Sequence, residues 1–426
     1  QRPMKNRILS TVSLCAMFAL PACANTQEAL PVAAQTASAS AQSPVPVAAS
    51  RAERFAAWKA DFMARAIAKG YDAALVRRTI APATINERAL ERDKDQPEFT
   101  KPIWSYVDGA ANPGRVATGK QKLAENAAIF NAVEQRYFVD RHILAAIWGL
   151  ESAYGKIMGS HDIISALATF AFEGRRTKFG ERELYGILDS LSAGYVRAEQ
   201  LEGSWAGAMG MMQFIPTTFR DYAVDFNNDG NRDLWTSPED ALGSAAHYLS
   251  RHGWRWNEPV FTEVQLPRGF DYSLSGGSKK TVNEWTALGV APFGGGRWST
   301  AAGFLDGKLL VPAGASGPKF LTFKNFDVIT KYNHSTSYAL GINVLAERFQ
   351  ERAAIRSLWP TDDKPLSLTD KEARQKRLTP LGYDTKGVDG QIGPNSRRAI
   401  RAWQAANGVP ADGYVEQTLF RRIMGR

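Results

Sequence analysis

Cysteine is almost absent from this chain. The 426 residues contain two, Cys15 and Cys23, and both lie near the start. Everything downstream must hold together without disulfides and cannot build a cysteine-based metal site. Histidine is scarce too. There are five, with no H-E-x-x-H or H-x-H pair, which argues against a catalytic zinc site. No G-x-S-x-G elbow and no P-loop occurs, and nothing in the sequence calls for an organic cofactor. Beyond the leader, no stretch reaches the ~18 consecutive apolar residues of a membrane helix. Basic runs interleaved with aromatics are also missing, which counts against nucleic acid as a partner.

What the chain has is positive charge. Lysine and arginine number 52 against 43 acidic residues, a formal net charge of +9, and the isoelectric point is about 9.4. That balance favours polyanionic surroundings such as anionic lipid or an acidic cell-wall polymer. The N-terminus points the same way. Lys5 and Arg7 precede an apolar stretch from Ile8 to Leu20, followed by Ala22-Cys23-Ala24. Residues 1–24 read as a secretory signal peptide, with Met4 the expected start, and the mature chain is expected in the periplasm. Two cleavage readings stand side by side. Leu20-Pro21-Ala22-Cys23 resembles a lipobox, which would lipidate Cys23 and attach the chain to the outer membrane. Ala22-Cys23-Ala24 also fits ordinary cleavage after Ala24. Residues 25–50, rich in Ala, Ser, Pro and Gln, read as a flexible tether.

Helical periodicity begins near Ala52 and returns through YALGINVLAERFQERAAI. Between Pro259 and Ile329 the pattern changes to short β-like runs (VFTEVQL, KFLTF, FDVIT) separated by Gly and Pro. The expected class is therefore mainly α (α+β). A helical domain at 51–358 carries a small β-containing insertion, and a linker follows at 359–366. A three-helix unit at 367–426 is built from TDKEARQKRLTPLGY, NSRRAIRAWQAANG and VEQTLFRRIM. Asn395 or Ser396 is expected to cap its middle helix. Leu378, Leu381, Ile400, Trp403, Leu419 and Ile423 are its expected core. A unit this small without disulfides is marginally stable alone, which suits a binding appendage better than a catalytic body.

The run DRHILAAIWGLESAYG places one carboxylate, Glu151, among the greasiest residues nearby. Leu144, Ile147, Glu151 and Tyr154 recur at helical spacing, with Asp140 as N-cap and Gly155 just past the end. A carboxylate on an apolar face loses hydration, which raises its pKa toward that of a general acid working near neutrality. A glutamate at the edge of such a face, snorkelling to solvent or paired with an arginine, has the same spacing. Downstream, GSWAGAMGMMQFIPTTF is punctuated by small residues that let a ligand approach the backbone, and Gln213 brings a donor and an acceptor. A Met-rich core turn with an incidental glutamine is the plainer reading.

Glu151-Ser152-Ala153-Tyr154-Gly155 with Gly210-Met211-Met212-Gln213 resembles the E-S-x-x-G and G-x-M-Q signature of lysozyme-like lytic transglycosylases. The string GSWAGAMGMMQFIPTTFRDYAVDFNNDGNRDLW is similar in particular to the membrane-bound lytic murein transglycosylase B family, over roughly Phe55 to Phe349. DGQIGPNSRRAIRAWQAANGVPADG resembles a short helical peptidoglycan-binding domain. The resemblance implies a lysozyme-like catalytic domain in which Glu151 is the sole acid/base. It would cleave the bond between N-acetylmuramic acid and N-acetylglucosamine without water, leaving 1,6-anhydro ends. A muramidase of the same fold and a wall-binding scaffold without chemistry are the alternatives. The expected partner is the peptidoglycan glycan strand, bound by a monomer.

The resemblance also assigns supporting residues. It gives Ser204 the role of orienting the catalytic carboxylate. Tyr248, Tyr332 and Tyr338 would line the glycan groove, and Gln213 would assist at the reacting sugar. Arg175 and Arg176 would form a basic pair facing peptide carboxylates or the lactyl group, although the sequence is one residue shorter just before them. Separately, Asp225, Asn227, Asp229, Gly230 and Asn231 match the start of an EF-hand loop. The standard twelfth-position acid is replaced by Thr236. The resemblance implies a longer loop closed by Asp240, with Glu239 as the rival, around a structural Ca²⁺.

Overall fold

The computed structural model describes residues 49–94, 102–364, 366–390 and 392–425. The leader, both cysteines and nearly all of the tether lie outside the described residues. The chain divides into units at 1–49 and 50–426, and the second is described here by itself.

The larger unit begins with a well-specified helix. Ser50 and Glu53 form a capping box at the start of Arg51–Ala68, which buries Phe55, Phe62 and Ala66. At the centre runs Arg141–Ser152. Asp140 starts it by accepting from the amides of His142 at 2.7 Å and Ile143 at 3.3 Å. Every residue from Ile143 to Gly149 is buried. The helix is apolar all round, so it forms the spine of the core and not an amphipathic edge. Pro113–Glu125, Pro238–Arg251 and Thr336–Phe349 pack against it.

The end of this helix corrects the periodic reading. Ala153, Tyr154 and Gly155 adopt φ of 49°, 60° and 83°, so the helix stops at Ser152. Tyr154 therefore leaves the Glu151 face. Its hydroxyl donates to the Arg115 carbonyl at 2.8 Å, and its ring meets Trp148 edge-on.

Among the described residues, seven strands accompany the helices. β1 (His161–Asp162) and β2 (Glu202–Gly203) form a short antiparallel pair. The insertion is a five-stranded antiparallel sheet made by β3 (Phe261–Gln265), β4 (Lys280–Thr281), β5 (Ala291–Pro292), β6 (Asp306–Leu310) and β7 (Lys319–Thr322), in the order β4-β6-β7-β3-β5. Register is set by pairs such as Phe261 with Thr322 and Leu309 with Leu321. Val264, Val282, Trp285, Leu309 and Leu321 give the sheet a core of its own. One expected strand is helical instead. FDVIT lies inside Lys324–Tyr332, where Asn325, Phe326, Val328 and Ile329 are buried at helical spacing.

The C-terminal unit contains Leu368–Leu378, Pro394–Ala406 and Gln417–Met424 around Leu366, Leu378, Ile400, Trp403, Val415, Leu419 and Ile423. Leu381 is 39% exposed and is not part of that core. The middle helix is capped at Gly393 with Pro394 in its first turn, ahead of the expected Asn395 or Ser396. Asp412 fixes this unit to the insertion by accepting from the Ala315 amide at 2.7 Å.

Close packing is required where Ile163–Phe172 meets Thr177–Ser192. A Cβ on Gly180 would sit 2.4 Å from the Ala171 nitrogen and 2.6 Å from the Leu167 carbonyl oxygen. Neither backbone atom can step aside without shifting the helix. Gly180→Ala should lower stability by about 1–3 kcal/mol in urea or thermal unfolding, and an unchanged midpoint would mean that the two helices are not held at this distance.

Candidate active site

Glu151 occupies the last turn of the buried Arg141–Ser152 helix. Its neighbours leave part of its surface open but strip most water from the carboxyl. Burial pushes its pKa from 4.5 up to about 7. The negative end of the helix dipole works in the same direction. One interaction opposes them: the Tyr338 hydroxyl donates to Oε1 at 2.6 Å. No neighbouring carboxylate contributes to the shift.

The loop facing Glu151 is tied to its helix by the adjacent residue. Ser152 Oγ donates to the Met211 carbonyl at 2.7 Å and accepts from the Gly155 amide at 2.9 Å. Met211 N bonds the Leu234 carbonyl at 2.7 Å, and Met209 and Phe214 exchange backbone hydrogen bonds of 2.9 and 3.1 Å. The loop is thus a closed turn. Gln213, at its end, is held at φ 50°, a left-handed conformation uncommon for a side chain of this size.

Beside this turn lies a cleft of about 140 Å³ lined by Gln213, Phe214, Ile215, Thr218, Tyr248, Lys331 and Tyr332. Gln213 Nε2 donates to the Met158 and Gly210 carbonyls at 3.1 and 2.8 Å. Both amide hydrogens are thereby used, so the side chain offers a ligand its oxygen as acceptor but no donor. The tyrosines follow the same rule. Tyr332 donates to the Met212 carbonyl and Tyr248 to the Lys331 carbonyl, each at 2.7 Å. Tyr338 is committed to Glu151. The hydroxyls expected to meet a sugar instead hold the site together. The rings of Phe214, Tyr248 and Tyr332 pack on one another at centroid separations of 5.2 to 5.9 Å, with Phe214 and Tyr248 buried and Tyr332 partly exposed.

Ser204 and the arginine pair sit differently from the expectation. Ser204 Oγ accepts from the Ala206 and Ala208 amides at 3.3 and 3.0 Å, closing the turn before the Met-rich loop. The hydrogen bond that Glu151 receives comes from Tyr338. Arg175 and Arg176 both pair with the buried Asp93, at 2.8 and 2.7 Å. Arg176 also lies over the rings of Phe170, Phe179 and Trp205. The single Asp93 carboxylate answers only part of their joint charge, and the Arg175 side chain stays largely exposed. Asp93 is far upstream in sequence, and no local motif marks it as their partner.

The acidic loop converges. Oxygens of Asp225, Asp229 and Asp240 lie within 4.8 Å of one another. Asp240 accepts from the amides of Phe226 at 2.7 Å, Asn227 at 3.3 Å and Asp233 at 2.9 Å. Burial still raises its pKa, and the Asp225 charge adds to the effect. Asn227 and Asn231 each direct an amide at Asp229, at 3.2 Å. Thr236 is held by Asp233 and Glu239 faces Ser237, whereas Asp240 converges with Asp225 and Asp229. Hard oxygens from three acids, one buried and raised in pKa by a like charge, fit a cation such as Ca²⁺.

Glu151 has a thermodynamic signature. Its pKa is higher folded than unfolded, so the stability it contributes is complete below pH 4.5 and lost as pH rises through 7. Glu151→Gln should therefore be more stable than the parent at pH 8 by on the order of 1–3 kcal/mol. At pH 4 the two should melt together. Equal midpoints at pH 8 would mean that the carboxylate is hydrated.

With this geometry in place, the comparisons are specific. Residues 54–347 match the transglycosylase SLT domain family, and residues 370–423 match a peptidoglycan binding domain family. Membrane-bound lytic murein transglycosylase B of Escherichia coli is 34% identical over 244 residues, covering 54% of this chain and 62% of that protein. The chain thus spans under two thirds of that relative's length. The crystal structure of SltB3 from Pseudomonas aeruginosa in complex with NAG-anhNAM-pentapeptide superposes with a TM-score of 0.83. Identity is 45%, over 87% of this chain and 99% of that one. A second SltB3 complex, with NAG-NAM-pentapeptide, gives 0.82. Slt35 of Escherichia coli in complex with calcium gives 0.58 at 29% identity, over 69% of this chain and 93% of that one.

Proposed function

The chain belongs to the transglycosylase SLT domain family, and from that footing we propose that it is a lytic transglycosylase of peptidoglycan. The observation that carries the reading is the Glu151 carboxyl, pushed up toward neutrality by burial and bonded by Tyr338, with no second carboxylate shifting it among the described residues. Hydrolytic glycosidases need two carboxylates at a set separation. One acid that can both give and take a proton at neutral pH suits a reaction that needs no activated water.

Protonated Glu151 gives its proton to the oxygen leaving the muramyl C1 as the glycosidic bond breaks. The sugar's own N-acetyl oxygen answers the charge developing at C1. Carboxylate Glu151 then takes the proton of the C6 hydroxyl, whose oxygen bonds to C1 and closes the 1,6-anhydro ring. Glu151 ends protonated, and no water is consumed. Tyr338 keeps the carboxyl aimed through both steps. Tyr332, the partly exposed ring of the cleft, stacks on a sugar ring, and the Gln213 oxygen accepts from an N–H or O–H of the substrate. The SltB3 complexes with NAG-anhNAM-pentapeptide and NAG-NAM-pentapeptide support peptidoglycan as the substrate class.

The same reading gives the C-terminal unit the task of holding the wall. It puts the mature chain in the periplasm as a monomer, tethered through lipidated Cys23 or freed after Ala24. No helix among the described residues is long and apolar enough to cross a membrane. Ca²⁺, held by Asp225, Asp229 and Asp240 with Asn227 and Asn231 in support, would offset the like charges and brace the loop beside the Pro238–Arg251 helix. The calcium complex of Slt35 supports this assignment.

Two experiments test these statements. Digestion of purified sacculi should release muropeptides with anhydro ends, lighter by one water than hydrolysed sugars, and Glu151→Gln should slow release by roughly 10²–10⁴-fold. Products carrying an added water would replace the reading with a muramidase. Millimolar Ca²⁺ should raise the thermal midpoint of the parent, and Asp229→Asn should blunt that rise. Identical midpoints in Ca²⁺ and in chelator would remove the metal.

A further inference from the structure

A second cleft, of about 510 Å³, opens between the Thr336–Phe349 helix, the segment 352–356 and one end of β3. Asn343 lines it and is 8% exposed. Five residues separate Asn343 from Tyr338 on that helix, about 7.5 Å along its axis and turned well away from Glu151. Among the described residues the Asn343 carboxamide has no hydrogen-bond partner, yet its polar atoms stay open to the cleft. Buried amides are ordinarily paired, because losing water without gaining a partner is unfavourable. This one has both a donor and an acceptor to give.

The opposite wall offers backbone. Phe323 N bonds the Val260 carbonyl and Phe293 N the Glu263 carbonyl, both at 3.0 Å. Alternation along β3 then turns the amide and carbonyl of Phe261 away from β7, toward the side held by β5. There β5 pairs only with Val264 and Gln265. It ends at Pro292, and Gly294, Gly295 and Gly296 follow with φ of 83°, 84° and 110°, so the chain turns off before reaching Phe261. Phe261 therefore presents an open strand edge inside the cleft, a place where an extended chain can pair. Glu263 is already committed, accepting from the amides of Arg356 at 2.7 Å and Ser357 at 3.0 Å. Arg352 spends only its Nε, on Glu347 at 3.3 Å, and its side chain is 60% exposed.

We propose that this cleft is a peptide site, and that it holds the stem peptide of peptidoglycan. This rests on the reading of the chain as a peptidoglycan transglycosylase, and it adds where the peptide is held, apart from the sugars. One extended residue of the peptide exchanges two hydrogen bonds with Phe261. The Asn343 carboxamide answers the next peptide unit as donor and acceptor, and the free nitrogens of Arg352 take the terminal carboxylate. Because only one residue pairs with the strand edge, a long regular strand is not required. A sugar ring matches the cleft less well: Phe261, the one aromatic among its lining residues, is 6% exposed and offers no face for stacking. A five-residue peptide extends about 17 Å, more than twice the rise from Tyr338 to Asn343.

The test titrates a free stem pentapeptide, without sugar, into the full-length chain by calorimetry. The parent should bind it. Asn343→Leu, similar in size but without the carboxamide, should bind about tenfold more weakly. Its thermal midpoint should not fall, since an unpaired amide contributes nothing to the fold. Amidating the peptide's terminal carboxyl should weaken binding to the parent about tenfold and make no further difference to Arg352→Gln, which is already weaker. No binding by the parent, equal binding by Asn343→Leu, or a full amidation effect in Arg352→Gln would each overturn the site. A lowered midpoint in Asn343→Leu would overturn it too, by showing the amide to be structural. Digestion of sacculi by the same parent preparation separates the two readings. Failure to digest sinks the transglycosylase, whereas digestion without peptide binding sinks the peptide site alone.

Discussion

The structure turns on the desolvation of one carboxyl group. Glu151 stands in the last turn of a helix buried on every side, and burial lifts its pKa to about 7. A surface glutamate has no means of being half protonated at neutral pH. The apolar character of residues 143–149, which the core needs for packing, is also what makes the acid reluctant to ionise. Stability and chemistry therefore draw on the same residues and pull against each other at one atom group. The protein tolerates a carboxylate it would be more stable without.

Around that acid, side-chain donors are spent on backbone so that the site is rigid before substrate arrives. Ser152 holds Met211, Tyr332 holds Met212, Tyr248 holds Lys331, and Gln213 holds Met158 and Gly210. Tyr338 alone among the three tyrosines spends its proton on the acid. What lines the cleft is then the Tyr332 ring, the Gln213 acceptor and the side chains of Thr218 and Lys331, a mixed surface suited to a polymer of rings rich in N–H and O–H groups. The left-handed φ of Gln213 is the local strain that the surrounding hydrogen bonds maintain.

Much of this was legible in the sequence, and the failures have identifiable causes. The Glu151 helix, its Asp140 cap and the short spacing from Glu151 to Ser152 are local, and periodicity reads them. Periodicity could not see that Ala153 to Gly155 would turn left-handed, so Tyr154 was placed on a face it does not share. FDVIT is rich in β-formers but buries residues at helical spacing, and packing overrode propensity. The long-range partners were invisible from local pattern. Asp93 pairs with two arginines 82 and 83 residues away, and Tyr338 reaches Glu151 across 187 residues.

The central claim is that the acid carries its proton into the neutral range, and direct titration tests it. With glutamate carboxyl carbons labelled with ¹³C and Glu151→Gln used to assign the resonance, the chemical shift of position 151 is followed by NMR from pH 3 to 10. The account predicts a midpoint near 7, moving upward in Tyr338→Phe, where the donor that favours the charged form is gone. A midpoint near 4.5, unmoved by loss of the phenol, would show a hydrated carboxylate and contradict the account.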